Sequence, residues 1–410
     1  MSFIVPQLRV LSALEIEGQC GVGTYGSVYK GRDKVSGDQV ALKKLKMEHE
    51  KNGFPITALR EIRILRALKH ENIVQLLEII ACDSSGDDDE RFKPGDVFMV
   101  FEYLDFDLEG LLKSDVHLTA DHIRSYTKQL LDGVCFMHRQ NILHRDLKGA
   151  NILITRDNRL KIGDWGLARS YMPSKKPKMT IDVVTLWYRS PELCLKLKEY
   201  GEGVDIWACG CIFLDLHYRR AIMTGETDIQ HLELIYQLLG SPEGATRELF
   251  STYPEWGNMQ IAETYTSKLR TMFQGKMNSE GLDLVEKMLT YNPNERISAF
   301  SALDCPYFFS PRVPELPQNL PKFTIENGHE FEVKQAREKE SQNRILLAEQ
   351  KRQEHEQKRA EASGKPKFGS TGALSSLGGG NRSSELPKFE IFLEIKYTIT
   401  NYNEQANLNQ

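Results

Sequence analysis

"ILHRDLKGANILI", residues 142–154, sets His144, Arg145 and Asp146 side by side and brings in Asn151 five residues after the aspartate. "GDWG" then supplies Asp164, thirteen residues beyond Asn151. Either run alone is an ordinary polar loop. In this order they carry what phosphoryl transfer needs: in-line positioning, a carboxylate to take a hydroxyl proton, and cations that neutralise phosphate oxygens. Asp146 can orient and deprotonate the hydroxyl, and Lys148 can meet the phosphate in transfer. Asn151 and Asp164 offer the hard oxygen ligands that suit Mg²⁺.

Upstream, Gly21, Gly23 and Gly26 in "GVGTYGSV" form a G-x-G-x-x-G-x-V, a weak signal by itself because glycine turns are common. It is followed by "VALKK", a strand carrying Lys43 after Val40 and Ala41. Successive strand residues face opposite ways, so Lys43 can point under the glycine loop while Lys44 points out. "NGFPITALREIRIL", residues 52–65, reads as a helix opened by Pro55, with Ile56, Leu59, Ile62 and Leu65 as its apolar stripe. Arg60 and Glu61 stand within it, and taken alone they read as solvated charge.

The 410 residues suffice for two lobes with their own cores and for extra segments. With 40% hydrophobic and 27% charged residues and a net charge of −4, the composition exerts no general pull on nucleic acid. Seven scattered cysteines without a CxxC pair fit a reducing compartment without structural zinc. The amino terminus lacks a basic region ahead of a long apolar core, and no apolar run approaches the ~20 residues that span a bilayer. A soluble intracellular protein is expected, with neither membrane nor direct nucleic-acid contact.

Short β-rich runs occupy 14–104, after an N-terminal segment 1–13, and are broken by the acidic loop "DSSGDDDERFKPGD". Helical spacing dominates 105–309. The fold expected is α+β, a small β-rich lobe followed by a larger helical lobe and a C-terminal extension. A proline-spaced segment and a charged stretch read as a solvated helix fill 310–362, and 363–410 form a flexible linker and tail.

By these motifs residues 14–309 resemble the eukaryotic protein kinases, which implies a bilobal fold with ATP in the cleft. The resemblance sets Cys20, Gly21, Gly23, Gly26 and Lys43 along the nucleotide. Val28, Ala41 and Leu153 would sandwich the adenine, with Phe101 at the back, Glu102 and Tyr103 at the hinge, and Asp107 beside them. Glu61 would pair with Lys43 and hold it on the α- and β-phosphates. Two departures stand out: Trp165 replaces the usual Phe and is expected to pack as an apolar plug, and Ser190-Pro191-Glu192 replaces the common Ala-Pro-Glu.

"PITALRE" resembles the cyclin-binding helix of the cyclin-dependent kinases. The longer runs "VALKKLKMEHEKNGFPITALREIRIL" and "KMTIDVVTLWYRSPELCL" look like the transcription-elongation branch, which holds the kinase subunit of positive transcription elongation factor b and the plant C-type kinases. That resemblance implies a nuclear kinase of Ser/Thr-Pro sites, acting on the C-terminal domain of RNA polymerase II with a T- or K-type cyclin. It also implies that a separate activating kinase modifies Thr180, with Arg60, Arg145 and Arg169 converging on the phosphate. Val183 would adopt an unusual backbone whose carbonyl Arg189 satisfies, which selects proline after the target residue. The isolated chain is expected to be inactive, since nothing intramolecular is evident that would hold Glu61 against Lys43.

Rival readings are a mitogen-activated kinase, a pseudokinase scaffold and a cell-cycle cyclin-dependent kinase. The first needs Thr-x-Tyr, whereas Thr180 is followed by Ile181 and Asp182. The second loses a catalytic group, whereas Lys43, Asp146, Asn151 and Asp164 are all present. The third stays open. Composition favours a disordered exit for "LPKFTIENGHEFEVKQAR", residues 320–337. Its resemblance to the plant C-type extension, His329-Glu330 included, implies instead a return towards the ribose edge, anchored by Leu320, Phe323 and Phe331. Basic residues from Lys334 onward would then steer an acidic substrate.

Overall fold

The computed structural model describes residues 9–23, 26–46, 55–82, 91–93, 95–172, 174, 177–325, 328–332, 334, 335 and 338. Met1–Val333 form one compact unit and Lys334–Gln410 a second. The expected linker and tail, most of the charged helix and most of the acidic loop lie outside the described residues.

Five antiparallel strands make the first lobe: β1 (Leu14–Gly23), β2 (Gly26–Asp33), β3 (Gln39–Lys44), β4 (Leu76–Ala81) and β5 (Val97–Glu102), in the order β1-β2-β3-β5-β4. Alternation sorts their side chains into two layers. Val40, Leu42, Ile80, Phe98 and Val100 face one core, which Leu11 and Leu14 close from the amino-terminal side. Residues 9–13 therefore belong to this lobe, not to a separate segment. Met99, Phe101 and the partly buried Ala41 face the other way, towards α1 (Ile56–Ala67) and the cleft. Because β5 is covered on both faces, "VFMVF" is apolar throughout.

In α1 the buried face is Ala58, Glu61, Ile62, Ile64 and Leu65. Ile56, expected in the stripe, is 68% exposed.

The second lobe is built on two long helices. α3 (Ala120–Arg139) opens with a capping box, Thr119 Oγ1 accepting from the His122 N–H and the His122 ring from the Thr119 N–H. α5 (Gly203–Tyr218) is buried from Val204 to Leu216, as befits a helix apolar all round. Between α3 and α5 the strands β7 (Ile142–Leu143), β8 (Ile152–Ile154), β9 (Leu160–Ile162) and β10 (Arg169–Ser170) and the short α4 (Pro191–Cys194) carry the loops of interest. β6 (Phe106–Asp107) pairs with β8 and runs into the short α2 (Leu108–Lys113).

Residues 311–325 pack on this lobe and are not a solvated exit. Leu320 and Phe323 are buried, and Phe323 stacks on His122 at 5.1 Å. Asn158 Nδ2 donates to the carbonyls of Leu320 and Pro321, and Arg312 pairs with Asp121 at 2.6 Å. No helix among the described residues is long and apolar enough to cross a membrane.

Candidate active site

Strand alternation delivers Lys43 to the cleft, opposite Val28 on β2 and Met99 on β5, while Lys44 turns outward to Asp96 at 2.5 Å. Lys43 Nζ lies 2.8 Å from Glu61 Oε1 and 2.9 Å from Asp164 Oδ1. Burial opposes the charge on Lys43, yet the two carboxylates outweigh it and push its pKa up. Glu61, more deeply buried, is raised by burial against the pull of Lys43, whereas for Asp164 the lysine outweighs burial and the pKa falls. The pair forms within the single chain, where Ala58, Ile62 and Leu65 pack α1 into the core; the expectation that nothing internal holds it is thereby corrected.

The loop after β7 is suspended from α5. Asp205 accepts from the N–H groups of His144 at 3.0 Å and Arg145 at 2.9 Å, and from the His138 ring at 3.0 Å. Burial would raise its pKa, but the His138 bond and the Arg145 N–H lower it. His144 Nδ1 accepts from the Asp146 N–H, which leaves Nε2 to donate to the Gly163 carbonyl at 2.9 Å. Arg145 takes a left-handed φ of 66°, and Asp146 follows with its carboxylate fixed. Asn151 Nδ2 donates to the Asp146 carbonyl at 2.7 Å and to Oδ2 at 3.0 Å, so the side-chain Oδ1 of Asn151 is its remaining ligand atom. Asp146 Oδ1 accepts from Thr185 Oγ1 at 2.9 Å, and Lys148 Nζ reaches both Thr185 Oγ1 and Asp146 Oδ2, at 3.0 and 3.1 Å.

Asp164 has a φ of 48°, which aims its carboxylate back at Lys43. Trp165 is buried as expected, edge-on to His144 at 4.8 Å, and its indole N–H finds the Ile162 carbonyl at 3.1 Å.

Above the cleft, Gly26 is demanded by space: a Cβ there would lie 1.9 Å from the Lys44 carbonyl oxygen. At Gly21 a Cβ would meet Val28 at an ordinary 3.5 Å. Of Gly23 only the backbone pairing with Gly26 is described. Cys20 sits on β1 with burial pushing its thiol up to about 12. Ala41 on β3 and Leu153 on β8 are partly buried against the core, with Phe101 buried beside Ala41 in register. Glu102 spends its side chain on Lys161 and the Gln75 N–H.

Asp107 is spent largely on structure. Its Oδ1 caps α2 at the Gly110 N–H, 2.7 Å away, and its Oδ2 accepts the Glu330 N–H at 2.7 Å. The extension thus reaches the hinge: His329 Nε2 bonds the Leu104 carbonyl at 2.9 Å, its ring stands 6.0 Å from Tyr103, and its Nδ1 lies 3.4 Å from Asp107. Burial lowers the His329 pKa, but Asp107 prevails and raises it. Glu330 pairs with Lys113 on α2 at 2.6 Å. Phe331 is half-buried.

One substrate residue is corrected. The left-handed backbone belongs to Val184, φ 65°, and not to Val183; Arg189 NH2 donates to the Val184 carbonyl at 3.0 Å, and the Val184 N–H reaches the Arg145 carbonyl. Asp228 fixes Arg189 in turn at 2.7 Å. Thr180 and Arg60 are exposed and Arg169 is half-buried; among the described residues none of the three arginines bonds the Thr180 hydroxyl. Arg145 instead reaches the Leu167 carbonyl and the Tyr200 hydroxyl.

Three residues with clear roles in the geometry escape a linear reading: Thr185 at the Asp146 carboxylate, Asp205 beneath the loop, and Arg296. The last makes a bidentate pair with Glu192 at 2.7 and 3.0 Å, both side chains fully buried. Removing either partner would strand a buried charge, at about 3–5 kcal/mol.

Residues 14–308 match the protein kinase domain family. Cyclin-dependent kinase C-1 of Arabidopsis thaliana is 41% identical over 336 residues, 80% of this chain and 66% of that one. Cyclin-dependent kinase 9 of Danio rerio is 40% identical over 318 residues, 75% of this chain and 84% of that one. The chain spans just under two thirds of the length of the Arabidopsis C-1 and C-2 kinases, 66% and 64%. Among solved structures, the yeast RNA Pol II CTD kinase CTDK-1 complex contains a chain of 36% identity and TM-score 0.68, matched over 77% of this chain and 99% of that one. Motif order, the paired Lys43 and Glu61, the suspended loop and these likenesses agree: the chain belongs to the protein kinase family and, within it, to the cyclin-dependent kinases.

Proposed function

We propose that the protein transfers the γ-phosphate of ATP to Ser or Thr followed by Pro, as a cyclin-dependent kinase of the RNA polymerase II C-terminal domain. The observation that carries the transfer reading is the Asp146 carboxylate held between Thr185, Lys148 and Asn151. Asp146 orients that hydroxyl and receives its proton, Lys148 neutralises charge on the phosphate, and Lys43 steadies the nucleotide. Protein kinases use ATP and a divalent metal ion. The donor set here suits Mg²⁺: Asn151 and Asp164 supply two oxygen ligands, and no group of three His, Cys, Asp or Glu among the described residues makes a closed metal cage. When bound, the ion would neutralise the phosphate oxygens during transfer.

Val184 supports the choice of proline. With its carbonyl already claimed by Arg189, a substrate residue bearing an N–H after the target would leave that donor unpaired, at ~1–3 kcal/mol, whereas proline has none. The polymerase tail as substrate extends the reading by likeness to the yeast RNA Pol II CTD kinase. A T- or K-type cyclin, nuclear residence and modification of Thr180 by a separate kinase extend it by the resemblance of "PITALRE" and "KMTIDVVTLWYRSPELCL" to the transcription-elongation branch. The test is transfer of labelled phosphate by the full chain, purified with its native partners, to a heptad peptide carrying Ser-Pro. Asp146→Asn and a Ser-Ala peptide serve as controls. Equal labelling of Ser-Pro and Ser-Ala peptides would rule out proline direction, and labelling unaffected by Asp146→Asn would rule out this site.

A further inference from the structure

The six residues Tyr200–Asp205, leading into α5, touch three separate parts of the site. Asp205 holds the backbone N–H groups of His144 and Arg145. Glu202 accepts the Tyr171 hydroxyl, just past β10, where the Tyr171 N–H also bonds the Asn141 carbonyl. Tyr200 does something different. Its hydroxyl donates to the Thr180 carbonyl at 2.5 Å and accepts from Arg145 NH1 at 3.1 Å. One residue earlier, the Met179 N–H bonds the Lys198 carbonyl at 2.9 Å, and Met179 is buried. The backbone on either side of Thr180 is thus clamped to 198–200, while the Thr180 side chain faces solvent. Arg145 is aimed from its other edge by the Leu167 carbonyl at 2.8 Å.

We propose that Tyr200 is a positioning residue, a neutral clamp that holds Thr180 and the Arg145 guanidinium together independently of any phosphate on Thr180. The chemistry fits a single hydroxyl, one donor and one acceptor, both used. Burial raises the phenol pKa and keeps the proton the clamp needs, although Arg145 and Arg169 nearby act the other way. A phosphate on Thr180 would add charge-assisted bonds to the same arginines, and those would take over the load. The clamp therefore matters most when Thr180 is unmodified. This deepens the reading of Thr180 as a regulatory site and rests on it.

Tyr200→Phe removes the hydroxyl and keeps the ring. Hydrogen exchange on the full chain should quicken at least ~fivefold across 179–185 and stay unchanged in α3 and α5. No change there, or the same quickening everywhere, would overturn the clamp whatever the enzyme's activity. For the native complex, kcat should fall at least ~tenfold more after phosphatase treatment than before it, with the KM for ATP within about twofold of wild type. An equal fall in both states would mean a merely structural tyrosine. If phosphatase leaves the wild type's activity unaltered, the Thr180 reading fails, and the exchange result alone decides the clamp.

Discussion

The nucleotide side and the substrate side of this cleft are fastened in different ways. On the nucleotide side, Lys43 is held by two carboxylates, from residues 18 and 121 positions away. One of them rides on α1, a helix that joins the core by one face and exposes Ile56 on the other. On the substrate side the loop hangs by its own backbone from Asp205, on a helix buried along nearly its whole length. A side-chain pair that spans two elements parts whenever one of them shifts. A backbone bonded to a buried helix moves only when the lobe loosens. A shift of α1 would therefore part the Lys43–Glu61 pair, while the substrate side stays the fixed reference against which α1 is set.

The largest effect expected is from Asp146→Asn, which keeps shape and removes the proton acceptor. The turnover number should fall ~10³-fold or more with little change in thermal stability. A fall below about tenfold, by phosphate transfer in the native complex, would show that Asp146 is not the base.

The contrast itself is broken or upheld by a pair of variants. Glu61→Gln removes the charge on α1 but leaves Asp164 on Lys43, so kcat/KM for ATP should drop ~10²-fold while the melting temperature stays within a few degrees. Asp205→Ala strands two buried N–H groups and the His138 ring at ~1–3 kcal/mol each, so at ~2 °C per kcal/mol the melting temperature should fall by roughly 6–18 °C, with activity lost through the loop. Similar melting losses in both variants would erase the distinction.

Arg189→Lys is smaller. A lysine cannot serve Asp228 and the Val184 carbonyl with one planar fork, so the preference for Ser-Pro over Ser-Ala peptides should shrink ~tenfold. An unchanged ratio would detach Val184 from specificity.

How much of this was legible in the chain differs by residue, for physical reasons. Lys43 inward and Lys44 outward followed from strand alternation, which has one phase once a strand is placed. The helix at 56–67 was legible by its period but not its phase. Glu61 is buried by its lysine, and periodicity counts it as polar, so the period puts Ile56 and Leu59 in the core where Ala58 and Ile64 belong. Val183 and Val184 are the same letter twice, and only the backbone says which is left-handed. Thr185, Asp205 and Arg296 meet their partners 39, 60 and 104 residues away, beyond any local pattern. Leu320 and Phe323 look dispensable by composition because the surface they cover belongs to α3 and its neighbours, which composition does not see.

The smallest expected effect sharpens the comparison from the substrate side. Tyr188, in the run "VVTLWYR", donates its hydroxyl to Asp215 Oδ2 at 2.9 Å, so α5 supports the substrate platform as well as the catalytic loop. Burial raises the Asp215 pKa from 3.8 to about 8, against the Tyr188 bond. The folded chain therefore keeps a proton there at neutral pH, while the unfolded chain releases it above about 4. The stabilisation is full below the unfolded value and is drained as pH rises through the folded one, by up to ~1.4 kcal/mol per pH unit where the two differ. Asp215→Asn cannot ionise, and whatever its absolute stability, it lacks this slope. Between pH 6 and 8 the wild type should lose a few degrees of melting temperature relative to Asp215→Asn, and above about pH 8.5 the two curves should run parallel. Parallel curves throughout would mean that the carboxyl is ionised in the folded state and that α5 supports Tyr188 by charge.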